Sequence, residues 1–311
     1  MRRVLWILGC VLGVSVPVQA QLNTQHVKGS AGLKAGSQPP PGSYVAAPVL
    51  YFYSADEVRD RNGDLFGPRA DLNVAMFGAG LLHVTSKKVL GGYYAFQVLF
   101  PVGANNRIQG TEIDANPGAG LTDSVVQPIS LGWHFKRADV NTGYLIYVPT
   151  GRYTDGATDN TGLGMWGHEV SVGTTVYLTE TRQYHAATLV SFNFQSKKED
   201  SDTKVGNAMN LEGGIGADFL KGGLTTGLSY YASFKLTDDE IDGLPGILIR
   251  GKNHDFALGP DVTLALARKN TVYGFLRVCY QWETYARTTT RGGAWNIAAT
   301  ILLKPLTVPQ P

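Results

Sequence analysis

Acidic, basic and tyrosine side chains occur at alternating positions within segments that are otherwise rich in small and apolar residues. Alternate residues of a β-strand point to the same face, so these positions would line one side of a sheet. If that side surrounds a passage, carboxylates and a guanidinium would set its ion preference, and tyrosines would offer an aromatic lining with hydroxyl groups. The candidate lining residues are Glu169, Tyr177, Glu212, Asp218, Tyr231, Asp261, Tyr273 and Arg277.

The same alternation places Asp255 and Glu283 on that side of the sheet. A lone guanidinium in a narrow interior needs a carboxylate partner, so Arg277 is expected to pair with Asp261 or with a more distant acid. Such a pair would narrow a passage. The alternative interpretation is a paired interior network, with tyrosines that only fill space, as in barrels of any function.

Patterns typical of catalysis or metal binding are weak in this chain. The nearest hydrolase-like grouping is His168, Glu169 and Ser171, but adjacent strand residues point to opposite faces, so His168 lies away from the other two. The chain has no G-x-S-x-G run and no H-E-x-x-H run. We therefore predict no enzyme activity, no cofactor and no metal.

The elements that position these residues are clearest in residues 165–195. Val170, Val172 and Val176 share one parity, whereas Glu169 and Ser171 share the other. A period of two predicts strands, and the short TETR segment between two such runs predicts an antiparallel hairpin. The pattern recurs along the chain, which has 38 glycines, 15 tyrosines and only 17% charged residues.

About twelve strands follow from this pattern, and their connections alternate in length. Six long polar loops, the last at residues 284–292, are separated by five short turns. This alternation is typical of an all-β, closed, antiparallel, up-and-down transmembrane β-barrel, with long loops outside the cell and short turns in the periplasm. Two bands of aromatic residues near the strand ends would mark the membrane interfaces. Their members are Trp166, Phe194, Trp282 and Trp295 at one end, and Trp133, Phe135, Tyr184 and Phe219 at the other.

The chain divides into four segments. Residues 1–20 form a predicted secretory signal peptide, residues 21–42 a flexible, proline-containing arm that is free or enters the lumen, residues 43–303 the barrel and residues 304–311 a C-terminal tail. Removing the signal also removes Arg2 and Arg3, which balances basic against acidic residues and leaves no basic segment suited to nucleic acid. The predicted location is the bacterial outer membrane, with the lipid bilayer as the partner of the barrel.

Several short motifs resemble the family of outer-membrane proteins of the phenol meta-degradation pathway, a group of proposed transporters. They are SKKVLGG at 86–92, QP at 127–128 with GWH at 132–134, PTGRY at 149–153, KKEDSDT at 197–203 and GP at 259–260. The third motif contains Arg152 and Tyr153, which we take as loop-motif residues. The resemblance extends from about residue 40 to residue 303. One departure is the end of the chain, which continues past Leu303 instead of finishing on an aromatic residue.

Two functions are compatible with these observations. The resemblance implies an outer-membrane channel or transporter for small hydrophobic or aromatic compounds, linked to the meta pathway of phenol degradation. The alternative is a structural or surface-interaction barrel with a closed lumen. The sequence leaves the solute and the oligomeric state open.

Overall fold

The computed structural model describes residues 24–66, 71–109, 114–115, 118–241 and 252–307, so the predicted signal segment lies outside it. Twelve long antiparallel strands within these ranges form one closed barrel, which confirms the predicted fold class. The strands are β1 (Gly42–Arg59), β2 (Asp71–Val89), β3 (Gly92–Gln109), β4 (Ser124–His134), β5 (Ala138–Val148), β6 (Gly167–Tyr177), β7 (Tyr184–Gln195), β8 (Ala208–Phe219), β9 (Leu224–Lys235), β10 (His254–Arg268), β11 (Thr271–Arg287) and β12 (Thr289–Thr307).

The barrel closes through β1, which pairs with both β2 and β12. Tyr44 lies opposite Leu82 on one side and opposite Leu302 on the other. Each remaining strand pairs with its neighbours in sequence, and two-residue segments at Asp114–Ala115 and Gly120–Leu121 extend the sheet beside β3. Every long strand therefore has two partners, as a barrel in lipid requires.

The wall is apolar outside and polar inside. In β6, Val170, Val172 and Val176 are exposed, whereas Glu169 and Thr175 are buried. This is the reverse of a soluble domain, and it follows directly from the alternation because lipid, rather than water, covers the outer face. The polar residues on the inner face are left to pair with one another or with another segment.

Exposed aromatic rings lie at both ends of the outer face. Trp166, Phe194, Trp282 and Trp295 are exposed at the end with the long loops, which we call the long-loop end. Phe135, Tyr184 and Phe219 are exposed at the opposite, short-turn end. Their positions match the two aromatic bands of a membrane barrel. Which end faces the outside of the cell stays a prediction.

The prediction of a long loop at residues 284–292 is wrong. β11 continues to Arg287 and β12 begins at Thr289, so Thr288 alone connects them, with φ 55°. Threonine favours extended backbone, and this threonine-rich segment continues the two strands instead of interrupting them. The strands also run past the predicted end of the barrel, since β12 reaches Thr307.

Among the residues that the structure describes, no helix has the length and apolar character needed to cross a membrane.

The outward position of Val172 gives a test of the wall. Its side chain is 54% exposed near the middle of β6, so Val172→Arg should lower the free energy of unfolding by about 2–4 kcal/mol. Urea titration of the protein folded in lipid bilayers would measure this loss. Val172→Leu is the control and should unfold like wild type. Equal stability of the arginine variant would mean that Val172 does not face lipid.

Candidate functional site

Residues 24–41, which we call the arm, run through the lumen of the barrel. Near the long-loop end, Gln25 Nε2 donates to the Met165 carbonyl at 2.6 Å. Near the short-turn end, Ser37 Oγ donates to Asp139 Oδ2 at 2.8 Å. The sequence left open whether this segment is free or enters the lumen. In the structure it lies inside the lumen.

Glycines allow the arm to lie directly against the wall. A Cβ atom at Gly36 would lie 2.0 Å from the backbone of Thr174, and one at Gly29 would lie 1.9 Å from the side chain of Gln281. Gly29 also has φ 76°, a conformation that residues with a Cβ rarely adopt. Larger residues at these two positions would force the arm away from the strands.

Glu212 holds the middle of the arm. Its carboxylate accepts from the backbone N–H of Gly29 at 2.6 Å and of Ala31 at 2.8 Å, and its side chain is fully enclosed. His26 connects Glu212 to a second wall carboxylate: its Nε2 lies 2.9 Å from Glu212 and its Nδ1 lies 2.9 Å from Glu169. One side chain of the wall thus binds three successive parts of the arm.

Lys28 of the arm binds a second acidic cluster on the wall. Its ammonium group donates to Asp255 and lies 3.8 Å from Glu283. The Glu283 carboxylate also accepts from the hydroxyls of Tyr53 and Tyr231, each at 2.9 Å. Tyr231, predicted to line a passage, is therefore a donor to a carboxylate in this structure.

The expected pair between Arg277 and Asp261 is present. Arg277 Nη2 lies 2.7 Å from Asp261 Oδ2, and Nε donates to the same carboxylate. The guanidinium also donates to the carbonyls of Ser30 at 2.7 Å and Gly29 at 3.1 Å. Arg277 thus connects the wall to the arm, a role that its position in β11 did not reveal.

Asp218 and Tyr177 contact the arm near the short-turn end. Lys34 of the arm lies 2.7 Å from Asp218. The Tyr177 hydroxyl donates to Asp139 at 2.6 Å, and the guanidinium carbon of Arg182 lies 3.8 Å from the centre of the Tyr177 ring. A paired polar network therefore continues from one end of the lumen to the other.

Tyr273 is not brought together with the other predicted lining residues. Its side chain is 47% exposed, whereas Tyr177 and Tyr231 are buried. The register between β11 and β12 shifts between Val272 and Gly274. An alternation counted from Arg277 does not hold across this shift, which explains why the sequence grouped Tyr273 with the lumen.

Arg152 and Tyr153 lie in the long loop between β5 and β6. Arg152 Nε donates to the Asp159 carbonyl at 3.0 Å, and the Tyr153 hydroxyl donates to Asp155 at 3.1 Å. Lys198 of the next long loop lies over the Tyr153 ring, 5.4 Å from its centre. Burial lowers the pKa of Lys198 to about 8, although nearby carboxylates oppose the shift. The two loop motifs therefore pack together.

Sequence reasoning missed the basic residues of the arm as part of the site. His26, Lys28 and Lys34 bind wall carboxylates that include Glu169 and Asp218. A usable signal was present: the inward strand positions carry more acids than bases, and the segment before the first strand supplies cations between glycines. The wall is acidic, and the arm partly neutralises it.

A cavity of about 450 Å³ remains beside the arm. Its wall side includes residues of the first five strands and of β12, and its other side comes from the N-terminal half of the arm. The apolar lining includes Leu72, Val74, Met76, Leu99 and Val125, and the polar lining includes Tyr51, Gln97, Glu169, Asp255, His26 and Lys28.

His168, the histidine of the hydrolase-like grouping, contacts a tyrosine and not Glu169. His168 Nδ1 lies 2.7 Å from the Tyr144 hydroxyl, whereas Glu169 points inward to His26. The two side chains therefore lie on opposite faces of β6, as the alternation predicts. In the part of the chain that the structure describes, no group of three or more His, Cys, Asp or Glu side chains could hold a metal ion.

Two solved structures are similar to this chain. A crystal structure of an outer membrane channel from Pseudomonas putida F1 has a TM-score of 0.70 and 14% identity, covering 86% of this chain and 97% of that chain. The β-domain of a Bordetella autotransporter has a TM-score of 0.44 and 13% identity, covering 84% and 99%. No protein with a curated description is similar in sequence.

The closed barrel, its apolar outer face and the fold that it shares with the Pseudomonas putida channel indicate a protein of the bacterial outer membrane. Residues 55–297, most of the chain, match one protein family. The chain therefore belongs to the family described as "Putative MetA-pathway of phenol degradation".

Proposed function

We propose that this protein is an outer-membrane channel for small hydrophobic or aromatic solutes, and that the arm controls its opening. The observation that carries the proposal is the cavity of about 450 Å³ beside the arm, lined by apolar side chains and tyrosines. Ligand sites of this kind are mostly apolar, with a few polar groups that orient the ligand. The family description, with its link to phenol degradation, supports an aromatic solute.

The arm explains how such a channel can be closed at rest. It is held by hydrogen bonds and ion pairs, which can break and reform, rather than by strand pairing with the wall. Among the described residues, no barrel strand pairs with the arm, so the arm can move without opening the sheet. Solute would pass through the space that the arm leaves.

The second candidate is a barrel whose lumen stays closed and whose loops bind a partner. The continuous network from Asp139 to Glu169 along the arm favours it, because buried paired charges resist separation. The channel is preferred because the wall beside the arm encloses empty apolar space that a permanent plug does not require.

Single-channel recording in planar bilayers separates the two functions. We expect discrete current steps from the purified full-length protein, and brief interruptions of current when phenol is added. Heat-dependent gel mobility would verify that the protein is folded, and bilayers without protein are the control. Absence of current both from the wild type and from a variant with a released arm would support the closed barrel.

A further inference from the structure

The cavity beside the arm has two chemically different sides. Leu72, Val74, Met76 and Leu99 form an apolar surface on β2 and β3. Opposite them, the arm brings His26 and Lys28 together with the carboxylates that they bind. A molecule that fills this space must present an apolar body to the wall and tolerate charge on the other side.

Tyr51 and Gln97 supply free polar groups in this lining. Tyr53, Tyr147 and Tyr231 each donate to a carboxylate. Within the described residues, the Tyr51 hydroxyl and the Gln97 amide have no hydrogen-bond partner in the protein. A hydroxyl and an amide can each both donate and accept, so together they can satisfy a ligand group of either kind.

The charge near the cavity disfavours anions. The basic side chains that line the cavity are already paired with carboxylates: His26 with Glu169 and Glu212, Lys28 with Asp255, Lys235 with Asp239 and Arg277 with Asp261. A ligand carboxylate placed here would add a negative charge in a poorly solvated space next to groups of the same sign. A neutral ligand meets no such penalty.

We infer that this cavity binds neutral aromatic compounds that carry a hydroxyl group, in preference to aromatic carboxylates and to unsubstituted aromatic hydrocarbons. The inference rests on the proposed function and assigns its solute class. The ring lies against Leu72, Val74, Met76 and Leu99, and the hydroxyl bonds to Tyr51 or Gln97. The cavity volume is at the small end of the range for ligand sites, which suits compounds of one or two rings.

Equilibrium dialysis tests this assignment without requiring ion flow. Phenol, toluene and benzoate would be dialysed at pH 7 against the full-length protein in lipid nanodiscs, with empty nanodiscs as the blank. We expect saturable binding of phenol, weaker binding of toluene and no saturable binding of benzoate. Benzoate or toluene binding as tightly as phenol would overturn the inference.

Two substitutions identify the polar groups. Tyr51→Phe and Gln97→Leu each remove one hydrogen-bonding group and keep the approximate shape, so phenol binding should weaken by about three- to tenfold, while toluene binding stays the same. Tyr230→Phe is the matched control, since that hydroxyl bonds to Thr188 and does not line the cavity. Unchanged phenol binding in both Tyr51→Phe and Gln97→Leu would refute the assignment.

The binding experiment tests the site, and the conductance experiment tests the channel, so each hypothesis can be refuted without the other. Phenol binding in a protein without conductance would keep the site and contradict the channel. Conductance in a protein without saturable phenol binding would keep the channel and contradict the site.

Discussion

Replacing Glu212 by alanine should raise single-channel conductance several-fold, because the middle of the arm loses its main attachment. The Glu212 carboxylate accepts from the N–H groups of Gly29 and Ala31 and binds His26. A buried backbone donor left without an acceptor costs about 1–3 kcal/mol, so the arm in its resting position becomes much less stable. Planar-bilayer recording at matched protein amounts would measure the change.

Glu212→Gln is the matched control for this variant. Its amide oxygen can still accept from one arm N–H, whereas its NH₂ group cannot replace the second oxygen. Conductance of the glutamine variant should therefore lie between those of the wild type and Glu212→Ala. If all three proteins conduct equally, the contacts of Glu212 do not control the position of the arm.

Replacing Arg277 by alanine should both raise conductance and shift the channel towards cations. Arg277 holds the carbonyls of Gly29 and Ser30 and neutralises Asp261, whose side chain is fully buried. The substitution frees this part of the arm and leaves the Asp261 carboxylate uncompensated in the lumen. Reversal potentials in a salt gradient, recorded together with conductance, would report the two effects separately.

The two effects of Arg277 can be separated by a second substitution. An unpaired buried carboxylate costs about 3–5 kcal/mol, so Arg277→Ala is also expected to lower stability. The double variant Arg277→Ala/Asp261→Asn removes that charge while the arm carbonyls remain without their donor. It should recover stability and keep the raised conductance, but lose the cation preference. Wild-type conductance and ion preference in Arg277→Ala would show that the residue has only a structural role.

The wall of the barrel could be predicted from the sequence because its causes are local. The parity of Glu169 against Val170 and Val172 determines which side chains face lipid, since successive strand residues point to opposite faces. The pair of Asp261 and Arg277 could also be predicted from the sequence, because the two residues lie 16 positions apart in one hairpin. Here the register follows from a short turn.

Local rules failed where a strand and a polar loop have similar composition. Residues 284–292 contain threonines, glycine and arginines that suit either state, and pairing with β1 and β10 decides in favour of strands. The prediction that Tyr273 faces the lumen was wrong for a related reason. A shift in register interrupts the alternation on which that prediction depended. Neighbouring strands supply the deciding hydrogen bonds, and they are not visible in the segment itself.

The position of the arm was decided only by the tertiary structure. His26 meets Glu169 and Glu212 across 143 and 186 residues of chain, and Arg277 meets Gly29 across 248. The sequence determined that the inner wall is acidic and that the arm carries cations between glycines, but either segment alone could remain solvated. Closure of the barrel brings the carboxylates around one narrow space, where burial makes an unpaired charge costly, and the arm then supplies the partners.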